Sequence, residues 1–196
     1  MTVSWERIPD SAWPLLAAAR ASYGTQAEQT YDEVLREVAA RIAATGSIGK
    51  TDIGALVLWK RIRADTLWAR RLGDTPDEQV RAATAAAVAA VTADRLPVAD
   101  AGRQGCAELR SLPGFGHGPA LASALLTAAA PDRMAVYDRR AVAGLSRVGL
   151  DLDSGPDLYG RYLERVEALR ALAAEHGADW RARDVDVALF HLGGYQ

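Results

Sequence analysis

Cys106-Ala-Glu-Leu109-Arg-Ser-Leu112-Pro-Gly-Phe115-Gly-His-Gly118-Pro-Ala120-Leu-Ala-Ser-Ala124-Leu-Leu, the break at Pro131, and then Val136-Tyr-Asp138-Arg-Arg140-Ala141 together decide how this chain reads. Leu109 and Leu112 share the apolar side of a helix that is ending. Pro113-Gly114-Phe115-Gly116 is a tight turn, because glycines on either side of one apolar residue allow φ > 0 on both sides. Ala120 and Ala124 are small and four apart, so a second helix can approach the first closely. The stretch is a helix, a hairpin and a helix over about residues 99–130, followed by an aspartate loop at about 131–138. The N–H groups of the turn and of the second helix's start point outward, where backbone donors and the helix dipole favour phosphate.

The flanking sequence is helical throughout. Asp10-Ser11 opens a helix that stops before Gly24. Thr30 and Glu33 are spaced as a capping box for the stripe Tyr31, Val34, Leu35, Val38 and Ile42, with Gly46 as its C-cap. Gly46-Ser-Ile-Gly49-Lys50-Thr51 has the look of a phosphate-binding loop. That pattern needs a glycine where Ala44 stands and a strand before it, so it reads as a helix–helix turn with Thr51 or Asp52 as cap. Ile53 to Ile62 and Leu67 to Leu72 are two further helical pieces. Thr75-Pro-Asp-Glu78 starts the next, and Pro97 separates it from the hairpin. Beyond Asp138 come a helix to about Val148, a long one from Leu158 to Ala173, and a last one from Asp184 to Leu192. Nothing sustains a period of two. The expectation is one all-α domain spanning residues 1–196, with about nine or ten helices.

With 49% apolar and 24% charged residues, the composition is that of an ordinary globular protein with an adequate core. Its one cysteine, Cys106, excludes a disulfide within the chain and a four-cysteine iron–sulfur cluster. His117, His176 and His191 show no paired metal spacing, so no metal site is expected. No apolar run reaches spanning length and no signal-peptide pattern opens the chain, so the expectation is a cytoplasmic protein without a membrane partner. The net charge of −2 argues against tight non-specific binding to nucleic acid, yet cations gather at Lys60-Arg-Ile-Arg63, Arg70-Arg71 and Arg139-Arg140.

The hairpin Leu112-Pro-Gly-Phe-Gly116, the proline-containing loop and Asp138, in that order, resemble the helix-hairpin-helix, Gly/Pro-rich, aspartate superfamily of DNA glycosylases. The resemblance implies a helical glycosylase-like domain and double-stranded DNA as partner. It implies phosphate contacts from Gly114, Phe115, Gly116, His117 and Gly118, and it allows a monovalent cation on the hairpin carbonyls. No other cofactor is required. Bifunctional members, 8-oxoguanine glycosylases among them, carry a nucleophilic lysine two residues after the second hairpin glycine. Here that position is Gly118, and the spacing from it to the aspartate is about one residue longer.

Asp138 is the sharpest catalytic candidate. Breaking an N-glycosidic bond builds positive charge on the sugar, which a nearby carboxylate stabilises. The plain alternative, that Asp138 N-caps the helix from Arg139, is compatible with that role. Gly118 offers no amine, so the expected reaction is monofunctional hydrolysis. The only other side-chain amines are Lys60 and Lys50, alternative amines of which Lys60 beside Trp59 is the better, with solvated or phosphate-contacting roles as the plain reading. A flipped base needs an aromatic pocket, and Tyr137, Trp59 and His191 are the first candidates, with Trp68, Trp180 and Tyr195 behind them. A non-catalytic helix-hairpin-helix protein that only grips DNA, or an all-α interaction protein with a fortuitous turn, accounts for the same sequence without Asp138 chemistry.

Overall fold

Ala120-Leu-Ala-Ser-Ala-Leu-Leu-Thr-Ala-Ala carries no charge and only two hydroxyls, Ser123 and Thr127, and a helix so nearly apolar all round belongs inside a protein. In the computed structural model, which describes residues 8–23 and 30–194, that helix (α7, Ala120–Ala129) is buried at every residue from Leu121 to Ala128. Trp5 and Tyr195 lie outside the described residues. Around α7 pack α2 (Glu33–Thr45), α3 (Lys50–Trp59), α5 (Asp77–Thr92) and α6 (Val98–Leu109). The last helix, α10 (Ala182–Gly193), packs against α8 (Arg139–Arg147), α1 (Ala12–Ser22) and α9 (Leu158–Glu175), and α9 also contacts α6. With α4 (Leu67–Asp74), the described residues form ten α-helices and no strand, so the all-α expectation holds.

Small residues set the closest approaches. A Cβ on Gly105 would stand 2.9 Å from Leu126, which is how α6 comes down onto α7. A Cβ on Gly144 would overlap the Leu189 carbonyl, and one on Gly193 the Arg140 carbonyl. Helices α8 and α10 therefore cross in backbone contact. Ala124 is buried in α7 as the sequence suggests, but Ala120 is exposed and does not serve that packing.

The turn before α3 is a packing device. Ile48 is buried, its N–H donates to the Thr84 hydroxyl, and that hydroxyl donates back to the Ile48 carbonyl. The Gly49 N–H goes to Asp52 and the Lys50 N–H to Asp77. These amides are already taken, which explains in hydrogen bonds why the stretch is no phosphate loop. Asp52 acts from the third helical position, since the cap itself is Gly49. Gly46 ends α2 in the left-handed conformation, as expected. No helix among the described residues is long and apolar enough to cross a membrane.

Candidate functional site

Asp138 stands at the end of an extended segment that three side chains hold straight. Tyr159 and Tyr162, both buried on α9, donate their hydroxyls to the carbonyls of Ala135 (2.9 Å) and Val136 (3.0 Å). Ser123, inside α7, accepts the Tyr137 N–H at 2.9 Å. Burial pushes both phenols well up, so they remain donors. The chain then turns into α8, and Asp138 caps it: Oδ1 accepts the Ala141 N–H at 2.8 Å. The capping role read from the sequence is therefore present, and it fixes the carboxylate.

The other oxygen meets an amine. Lys60 Nζ donates to Asp138 Oδ2 at 3.0 Å, and the two side chains are only 11% and 22% exposed. The solvated role expected of Lys60 is thus corrected: the residue caps the C-terminal end of α3 and turns inward. Its ammonium lies 5.3 Å from the Trp59 ring centroid and 5.6 Å from that of Phe190. Lys50 is placed elsewhere. It starts α3, so a ten-residue helix, about 15 Å long, separates it from Lys60, and its Nζ donates to the Gly73 carbonyl.

Lys60 and Asp138 open into a cleft of about 820 Å³ lined by Tyr23, Tyr31, Ile62, Tyr137, Phe190 and His191. Two of the expected pocket residues, Tyr137 and His191, are in this wall. Trp59 is not: at 3% exposure it packs behind Lys60, against Tyr31 at 5.7 Å, as part of the core. Tyr31 is half-buried at the cleft although helical period places it on a core stripe, and Phe190 stands out in the sequence only as part of a C-terminal segment. Nothing in the period of either helix marks these two residues. Arg140 Cζ lies 4.3 Å from the Phe190 ring centroid, and its Nε donates to the Gly194 carbonyl. Phe190 is thus flanked by two cations.

The hairpin departs from expectation at two points. Its left-handed glycines are Gly114 (φ 97°) and Gly118 (φ 88°), not Gly114 and Gly116. Phe115, expected to contact DNA, is a core plug: its ring is buried and its N–H is already given to the Leu112 carbonyl. Gly114 rests on Trp68, whose ring a Cβ would approach to 2.6 Å. Gly116, His117 and Gly118 are exposed, and their N–H groups make no hydrogen bond with a described residue. Gly116 and His117 border a second cleft of about 440 Å³ with Leu67, Trp68, Arg71 and Arg110.

Charge is sorted across the molecule. Arg20, Arg41, Arg81, Arg103, Arg170, Arg181 and Arg183 are tied to carboxylates. Arg61 and Arg139 line the Asp138 cleft, Arg71 and Arg110 the hairpin cleft, and Arg70 the adjoining start of α4. These five are exposed and form no ion pair with a described residue. The net charge of −2 conceals this arrangement. No group of three or more histidine, cysteine, aspartate or glutamate side chains among the described residues could hold a metal ion. No family model, curated protein or solved structure matches the chain.

Proposed function

We propose that the protein is a DNA glycosylase that takes a damaged or modified base from duplex DNA into the Asp138 cleft and breaks its N-glycosidic bond. The observation that carries this reading is a capped carboxylate and a covered amine, 3.0 Å apart, in an aromatic-lined cleft with Arg61 and Arg139 at its rim. The exposed N–H groups of Gly116, His117 and Gly118, with Arg71 and Arg110, suit contacts to phosphate without reading sequence. Tyr31, Tyr137 and Phe190 offer faces to a base turned out of the helix. As the base leaves with the electron pair of the bond, the Asp138 carboxylate faces the positive charge left on the sugar and takes a proton from the attacking water. The product is an abasic site in an intact strand.

The position of Lys60 favours a second reading of the same site. With its proton passed to Asp138, the amine attacks C1′ of the sugar as the base departs. The ring then opens, its oxygen taking up a proton, to leave a protonated imine, and the strand breaks by elimination. Mass spectrometry of bases released from a panel of lesion-bearing duplexes tests glycosylase activity. Borohydride added during the reaction separates the two chemistries, because only the imine is trapped as a cross-link, and peptide mapping then places it on Lys60. Binding to duplex DNA with no base released from any member of the panel would leave a protein that grips DNA without cutting a bond.

A further inference from the structure

Beneath the cleft lie three charged side chains that neither chemistry uses. Arg183 on α10 donates from Nη2 to both oxygens of Asp32, at 2.9 and 3.2 Å, and from Nη1 to Asp186. Asp186 is fully covered, while Arg183 and Asp32 keep 18% and 20% of their side chains exposed. Arg183 Nε is buried and has no hydrogen-bond partner among the described residues. Trp59 ties this group to the cleft. Its Nε1 donates to Asp32 at 3.3 Å, the guanidinium of Arg183 lies 5.4 Å from its ring centroid, and the Lys60 ammonium lies 5.3 Å from it. One indole is thus a wall shared by the covered ions and the amine.

Covered ions are a weak way to stabilise a fold, because desolvation offsets most of their attraction and apolar residues of similar volume do as well. Their sign is the informative part. Two carboxylates and one guanidinium carry one net negative charge, beneath a cleft where positive charge must be held. Burial pushes the Asp186 carboxyl up, while the Arg183 and Lys60 cations beside it pull it back. A fixed anion below the reacting atoms favours a cation above it without reorganisation.

We propose that Asp32, Arg183 and Asp186 form a positioning layer that, through Trp59, holds the Lys60 amine opposite Asp138. Its role in turnover rests on the glycosylase reading, but its hold on Lys60 does not. The chain has only two lysines, so Lys50 serves as an internal reference. Trace acetylation of the folded protein by an N-hydroxysuccinimide ester, followed by peptide mass spectrometry, gives the ratio of Lys60 to Lys50 reactivity. In D186N and D32N this ratio rises about fivefold, the factor that roughly 1 kcal/mol of lost charge coupling allows. Circular dichroism identifies the folded variants. Should D186N not fold, D32N decides, since Asp32 is partly exposed and Asn keeps an oxygen for Trp59. A folded variant with an unchanged ratio overturns the proposal. In single-turnover base release, D186N lowers the rate at saturating enzyme while leaving DNA affinity unchanged. No base release from the wild type overturns the glycosylase reading, and the labelling ratios still decide whether the layer holds Lys60. Base release with unmoved labelling ratios overturns the positioning layer alone.

Discussion

Asp138 serves two neighbours, and replacing it in two ways separates them. Asn caps a helix about as well as Asp, so D138N keeps the bond to the Ala141 N–H and loses only the charge opposite Lys60. The stranded ammonium, 11% exposed, costs on the order of 1–3 kcal/mol, taken toward the lower end because the cleft admits water. D138A also removes the cap, worth about 1 kcal/mol more. Adding Lys60→Met to D138N removes the stranded charge, so the double variant recovers about 1 kcal/mol relative to the sum of the single changes. Base release responds differently. On the proposed glycosylase reading, both Asp138 variants lose the carboxylate that would face the developing positive charge, a loss of roughly 10²–10³ in rate. Urea unfolding followed by tryptophan fluorescence, with single-turnover base release on the same samples, measures all four quantities. A D138N protein that releases base at the wild-type rate refutes the catalytic assignment. If D138N and D138A are equally destabilised, the separation of cap from ion pair is wrong.

Three further changes probe the scaffold. Gly144→Ala puts a Cβ against the Leu189 carbonyl and forces α8 from α10, so thermal unfolding should show a loss of about 3 kcal/mol. Burial pushes the Cys106 thiol up to about 12, so iodoacetamide near pH 8 should alkylate it at least about a hundredfold more slowly in the native protein than in urea. The Lys50 N–H, with Arg81 beside it, holds the Asp77 carboxyl below its ordinary value. Stability from a lowered carboxylate is present above the unfolded value and lost as pH falls through the folded one. The unfolding free energies of wild type and D77N from urea titration should therefore differ near pH 7, by about 0.5 kcal/mol for so exposed a group, and converge toward about pH 3.

The helices are legible because they are amphipathic or uniformly apolar over long runs, and because Gly46, Pro97 and Pro131 punctuate them plainly. The hairpin is legible as a hairpin, but the choice of left-handed glycine is not: Gly116 and Gly118 are alike in sequence, and only the seating of Phe115 in the core settles which one bends. The cap at Asp138 is readable from its position before Arg139. Its pairing with Lys60 is not, since 78 residues separate them and no local pattern records a contact made where the end of α3 meets the start of α8. The same holds for Tyr31 and Phe190. A helical stripe says that a side chain faces inward and cannot say whether the inside at that height is a core or a cleft.

The backbone crossing of α8 and α10 also makes the cleft depend on the end of the chain. The walls of the cleft come from residues as far apart as Tyr23 and Phe190, and the Gly144–Leu189 and Gly193–Arg140 contacts close it. Each of these two contacts needs a residue of α10, the last helix of the chain. On the ribosome, a chain that has already emerged through Asp138 still lacks the helix that completes its pocket. The cleft therefore cannot be complete before α10 has been made, so a partly made chain carries the hairpin before it carries the cleft.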